Sequence, residues 1–333
     1  MNNWDARDES GNNCTIDEDL KSIEKTCKAL EIHKIHHVNY QSSYWQRVFS
    51  PVLAGYQSGS YTPNPDILCN KEIKFGDLYN WAVEGGGKAD YLATGHYARI
   101  EQEINLRQAH DLGKDQTYFL AAIDRNCLKR TMFPVGNLLK SKVKTDLVKE
   151  VGLDHLLDKK ESMGLCFIGK RGRFQDFMSD FVPKSLPGPV IDYETGKELG
   201  HQHKGLSNYT LGQNASLSGV KSRLYVAAKD KSRNALLVVD SIDHPALWTS
   251  VIKVSKFPNY ANLKGFNIFC SIRSVDKTGS KVKNINEETD HLRIELQNSI
   301  FAPCPGQWAV FYAEDEIAKV QGRLCLGGGE IIR

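Results

Sequence analysis

Thr62-Pro63-Asn64-Pro65-Asp66-Ile67-Leu68-Cys69-Asn70 is the stretch on which the reading of this chain turns. Its two prolines stiffen the backbone and push the residues before them to extended geometry. A rigid loop therefore presents one carboxylate, Asp66, and three residues later one thiol, Cys69. Asn70 opens an amphipathic run with Ile73, Leu78, Trp81 and Ala82. This predicts that Cys69 lies near a helix N-terminus, where the helix dipole favours a thiolate. Two readings stand side by side: a reactive site on a scaffolded loop, or a capped helix with a buried structural cysteine.

Outward from this loop the pattern alternates. Upstream, Thr15 and Glu18 have capping-box spacing ahead of Ile16, Leu20, Ile23, Cys27 and Leu30. Ile32 to Tyr40 reads as a strand, and Tyr44 to Tyr56 as a second helix whose Trp45, Val48, Phe49 and Leu53 form a core stripe. Downstream, Asp90 to Thr94 reads as a short strand ending at Gly95-His96. Helices alternating with strands imply a parallel α/β sheet, and such sheets bind ligands at the carboxyl ends of their strands. His96 at such an end is either a site residue or a satisfied core histidine. Gly85-Gly86-Gly87 follows a helix and reads as a stop and turn rather than a phosphate cradle. Lys142 to Val151 is a further helix. Beyond Pro183, Pro187 and Pro189 the texture becomes β: Leu224 to Ala228 pairs with Ala235 to Asp240, and His291 to Leu296, Gln307 to Tyr312 and Glu316 to Leu324 continue the pattern. The C-terminal third is expected to be a small barrel, with Asp276 to Asp290 a charged loop.

A chain of 333 residues and 41% apolar content can fill two or three domain cores. No run approaches the ~18 apolar residues of a membrane span, so no membrane partner is expected. None of the eight cysteines is spaced C-x-x-C, which argues against a zinc ribbon. Scattered cysteines in a chain this long point to a reducing compartment. Net charge is +3, but residues 129–173 hold eleven Lys/Arg against five Asp/Glu. Lys129, Arg130, Lys140, Lys142, Lys144, Lys159, Lys160, Lys170, Arg171 and Arg173 form either a phosphate-facing surface or a solvated helix face.

A second cysteine tips the balance. Glu161-Ser162-Met163-Gly164-Leu165-Cys166-Phe167-Ile168-Gly169 sets Cys166 in an apolar run between glycines. Together with Pro63-Asn64-Pro65-Asp66 and Cys69-Asn70 it resembles the two cysteine motifs of the tRNA-specific 2-thiouridylases, nucleotide-binding enzymes of the ATP-pyrophosphatase class. Ala93-Thr94-Gly95-His96-Tyr97-Ala98-Arg99, Gly113 to Leu120, Phe133-Pro134-Val135-Gly136, Tyr209 to Gln213, Asp243-His244-Pro245-Ala246-Leu247 and Cys325 to Gly329 extend the likeness along the whole chain. The Glu-Ser-Met-Gly and Asp-His-Pro-Ala-Leu wordings are closest to the mitochondrial branch. One departure stands out: the family's Ser-Gly-Gly-x-Asp-Ser loop, which grips pyrophosphate, is absent, and Met1-Asn2-Asn3-Trp4 resembles the start of its second strand.

The resemblance implies an α/β catalytic domain of the ATP-pyrophosphatase type over 1–175, incomplete at its start. It implies a central tRNA-binding domain over 176–246 and a C-terminal β-barrel over 247–333. It implies ATP with Mg²⁺, tRNA as substrate, a sulfur-donor protein and a mitochondrial location. Cys166 would carry a persulfide, Cys69 would be its partner nucleophile, and the two would close as a disulfide after turnover. Asp66 would be the general acid/base and, with Asn64 and Pro65, would hold the target uridine. Met1 and Gly95 would contact the nucleotide; Lys114, Asp115, Gln116 and Arg273 would contact tRNA, although Ser274 replaces the tyrosine that follows the family's arginine. Two alternatives remain beside thiolation: a non-catalytic tRNA-binding homologue, and a two-cysteine thiol redox protein.

Overall fold

The computed structural model describes the chain except residues 5–14, 60, 103, 158–177, 179–180, 183–185, 218, 221, 264–266 and 315–320. Cys166, its flanking glycines and the basic residues Lys159, Lys160, Lys170, Arg171 and Arg173 thus lie outside the described residues. The chain divides into two units, Met1–Val48 with Leu68–Phe167, and Phe49–Ile67 with Ile168–Arg333.

In the first unit, β1 (Leu92–Ala93) pairs in parallel with β4 (Thr131–Met132). β2 (Ala98–Glu101) and β3 (Asn105–Gln108) form an antiparallel hairpin. The first helix is Thr15–Ala29. The expected strand over 32–40 does not form. Only Asn39 bridges, in parallel, to Asn2, while Ile32 and Ile35 stay 49% and 40% exposed. The intervening His33, Lys34, His36 and His37 leave no apolar face for a sheet to cover. A helical run extends from 41 to 58, as its spacing predicts, but Trp45 is 40% exposed and stacks on Trp4 with ring centroids 5.8 Å apart rather than entering the core. The helix expected over Lys142 to Val151 begins two residues earlier, at Lys140, and runs to Glu150.

The second unit holds two sheets. β5 (Gly188–Asp192), β6 (Glu198–His203), β7 (Tyr225–Asp230) and β8 (Ala235–Val239) order as β6-β5-β8-β7 over a core of Val190, Leu206, Val226, Leu236 and Val238. β9 (Trp248–Ser255), β10 (Ile268–Ser271), β11 (Ser280–Glu287), β12 (His291–Phe301), β13 (Trp308–Ala313) and β14 (Leu324–Ile332) close into a six-stranded antiparallel barrel. β12 alternates cleanly, with Leu292, Ile294 and Leu296 buried. Phe257 and Phe311 stack in the core at 5.6 Å.

One sequence expectation for this barrel is corrected. The stretch read as a charged loop contains β11. A bulge between Val282 and Asn284 shifts its register, so Val282 and Ile285 both meet the core although three residues apart; a bulge erases the period-two signal. The expected stretch Glu316 to Leu324 lies largely outside the described residues, and β14 is described from Leu324 to Ile332. Its glycines serve closure: a Cβ on Gly329 would lie 2.2 Å from the Ser255 carbonyl oxygen of β9, and one on Gly328 2.6 Å from that of Ala309 on β13.

Candidate active site

A helix begins at Pro65, and its cap is Asn64 rather than Asn70. The Asn64 Oδ1 accepts the backbone N–H groups of Asp66 at 3.1 Å and Ile67 at 3.2 Å. Proline at the first helical position suits the cap, since its missing N–H would have no partner there. Asp66 is half-buried in the first turn. Helical backbone continues through Cys69–Leu78, which puts Cys69 just past the first turn, where the dipole's influence has largely decayed. Cys69 is buried at 4% exposure. Asn70 is also buried and donates from Nδ2 to the Phe119 carbonyl at 3.2 Å.

Cys127, Cys270, Cys304 and Cys325 are buried to the same degree as Cys69, and Cys27 is partly exposed. Burial raises the Cys127 thiol to about 12, helped by Asp124, and its Sγ donates to the Asp124 carbonyl at 2.8 Å. Cys270 and Cys304 are likewise held above their usual range by burial. Such thiols stay protonated and inert.

At the carboxyl end of β1, Gly95 is exposed, and a Cβ there would meet nothing within 4 Å. That open backbone fits the close approach of a nucleotide edge. Met1 is 49% exposed. His96 shares a 2.8 Å hydrogen bond between Nδ1 and Thr94 Oγ1 and sits between the rings of Phe75 and Phe133 at 5.6 and 6.0 Å. Burial, with the positive charge of Lys74, lowers its pKa to about 3, so the imidazole is neutral.

The candidate tRNA residues divide. Lys114 is exposed. The Asp115 carboxylate is buried and accepts from the Ala109 N–H at 2.8 Å and from Thr117 Oγ1 at 2.7 Å. Gln116 Oε1 accepts the Tyr97 N–H at 2.9 Å, and its own N–H donates to the Tyr97 carbonyl at 2.9 Å. Asp115 and Gln116 therefore brace the hairpin and the Gly95-His96-Tyr97 turn with their side chains, a role the sequence reading missed. Within the basic segment, Arg130 binds the Asp90 and Ala89 carbonyls at 2.8 and 2.9 Å, while Lys129, Lys142 and Lys144 are exposed. In the barrel unit, Arg273 donates to the Ala302 carbonyl at 3.2 Å and lies 5.6 Å from the Phe301 ring centroid.

A parallel strand pair among helices in one unit, and a four-stranded sheet with a closed barrel in the other, make an α/β domain with appended β domains. Family models agree along the chain. Residues 1–170 match a tRNA methyl transferase HUP domain, 175–240 a tRNA methyl transferase PRC-barrel domain and 253–331 an aminomethyltransferase β-barrel domain. The chain is 37% identical to the mitochondrial tRNA-specific 2-thiouridylase 1 of Homo sapiens, with 100% of this chain and 83% of that protein aligned. The Drosophila melanogaster protein of the same name is 40% identical over 100% and 86%. The tRNA-specific 2-thiouridylase MnmA of Blochmanniella floridana is 38% identical over 100% and 88%. The chain belongs to the tRNA-specific 2-thiouridylase family. The family models' description speaks of methyl transfer whereas the relatives are named for thiolation; two cysteine motifs suit sulfur chemistry.

Proposed function

We propose that this protein installs sulfur at C2 of the wobble uridine of tRNA. The observation that carries the reading is the Asn64-capped loop, which offers Asp66 and, one turn on, the thiol of Cys69, in a chain of this family from end to end. Uracil O2 is a poor leaving group. ATP, with Mg²⁺ on its phosphates, supplies the adenylyl group that makes it a good one, and Gly95 and Met1 would hold the nucleotide. Asn64 and Pro65 would hold the base once it is out of its stack, with Asp66 moving a proton at the reacting uridine. The terminal sulfur of a Cys166 persulfide attacks C2, and the C2–O bond breaks as AMP leaves with the former uracil oxygen. The Cys69 thiolate then attacks Cys166 Sγ, which breaks the persulfide bond, leaves sulfur on the base and closes a Cys69–Cys166 disulfide. A thiol reductant resets the pair, and a sulfur-carrying protein reloads Cys166.

Lys114, Gln116, Arg273 and the exposed lysines of 129–144 would meet tRNA phosphates. A mitochondrial location follows the wording of Glu161 to Gly164 and Asp243 to Leu247, although bacterial relatives align equally well. The test is thiolation of unmodified tRNA by the purified chain with ATP and a sulfur source, read by retardation in a mercury-containing gel. Retarded tRNA supports the proposal. Binding of tRNA without retardation would leave a tRNA-binding protein only, and binding of neither tRNA nor ATP a thiol redox protein.

A further inference from the structure

The loop bearing Asn64, Pro65 and Asp66 belongs to the same compact unit as the barrel. Two residues before Asn64, both polar groups of one peptide residue are taken by a single barrel turn. The Thr62 N–H donates to the Pro305 carbonyl at 2.8 Å, and Gln307 Nε2 donates to the Thr62 carbonyl at 2.8 Å. The turn is itself fixed to β14: the Gly306 N–H donates to the Ile331 carbonyl at 2.9 Å, and the Ile331 N–H donates to the Gln307 carbonyl at 2.7 Å. Gly306 has φ +90°, and a Cβ there would stand 2.8 Å from the Thr62 backbone N and C. Only glycine allows that approach. On either side of Thr62, the Tyr61 hydroxyl bonds to Glu330 of β14, and Pro63 is buried against Gly55, where a Cβ would lie 2.7 Å from Pro63 Cδ.

A connecting loop is mobile by default. This one is pinned at Tyr61, Thr62 and Pro63 and capped at Asn64, and from the barrel turn the Gln307 side chain reaches it to hold its backbone. We propose that Gln307, set by Gly306, is a positioning residue for uridine thiolation: it fixes the Thr62 backbone so that Asn64, Pro65 and Asp66 meet the target base in one geometry. The inference rests on reading that loop as the base-holding loop. Displacing a catalytic group by about 1 Å can cost up to about 10²-fold in rate, so a lost anchor is felt in turnover.

Gln307→Glu keeps the side chain's size but sets a carboxylate against the Thr62 carbonyl, and Gln307→Lys returns a donor. Hydrogen exchange in the whole protein should accelerate about tenfold or more in peptides spanning 61–67 of Gln307→Glu, with β13 unchanged. Thiolation kcat should fall between about 10-fold and 100-fold at nearly constant tRNA KM, and Gln307→Lys should recover a large part of it. A merely structural glutamine would lower β13 protection and the melting temperature without this kcat-only signature. Unchanged exchange over 61–67, or loosened exchange with full kcat, overturns the inference. Asp66→Asn run alongside separates the two levels: if it retains full rate, the loop's catalytic reading falls; if it abolishes thiolation while Gln307→Glu does not, only the anchor does.

Discussion

Asn64 Oδ1 accepts the Asp66 backbone N–H at 3.1 Å, so the side chain proposed to hold the target base also caps the helix that presents the proposed acid/base. Asn64→Ala should therefore cost about 1 kcal/mol of stability through the lost cap as well as thiolation. Asn64→Ser keeps the cap and should keep the stability. Thermal unfolding of both variants beside the mercury-gel assay separates the roles. Full activity in Asn64→Ser would reduce Asn64 to a cap.

The cap also shows what a sequence can and cannot reveal. Prolines around a carboxylate and a thiol marked the loop, but both Asn64 and Asn70 are acceptable N-cap types, and only tertiary placement decides between them. Alternating Leu292, Ile294 and Leu296 made the barrel legible. The bulge in β11 hid another of its strands. The internal bonds of Asp115 and Gln116 were not legible, because nothing local records that Ala109, Thr117 and Tyr97 would claim their side chains. The anchor at Gln307 spans 245 positions, beyond any local pattern.

Cys166→Ser should abolish thiolation while leaving tRNA affinity nearly intact. A hydroxyl cannot carry a persulfide, and one thiol adds little to an interface dominated by phosphate contacts. Cys69→Ser should do the same, with the added cost of a hydroxyl at a buried site. Filter binding and thiouridine content are measured on the same samples. Undiminished thiouridine in either variant removes that cysteine from the mechanism.

His96 should leave a signature in the acid limb of stability. Its pKa falls from 6.5 to about 3 in the fold, so between these values the unfolded chain binds a proton that the folded chain refuses. Its contribution is fully present above pH 6.5 and is lost as pH falls toward 3. By pH 5 the loss is on the order of 2 kcal/mol. His96→Asn removes the titration, so the gap between wild-type and variant unfolding free energies should change by that amount from pH 7 to pH 5. Parallel curves would mean that His96 titrates normally in the fold.

Neighbours in sequence should part in function at Lys114 and Asp115. Lys114 is exposed, and if it meets a phosphate, Lys114→Ala should lower the salt slope of tRNA binding by about 1 while leaving melting unchanged. Asp115 offers its buried carboxylate to the Ala109 N–H and the Thr117 hydroxyl. Asp115→Ala strands two buried donors, and stranded groups of this kind cost about 1–3 kcal/mol each, so its effect should be a lower melting temperature. The protein that remains folded should bind tRNA with an unaltered salt slope, because no phosphate contact is removed. The measurement is tRNA binding across a salt series, paired with thermal unfolding of each variant. A reduced slope in Asp115→Ala at unchanged stability would put its carboxylate at the tRNA surface and contradict the bracing role that its two internal bonds assign.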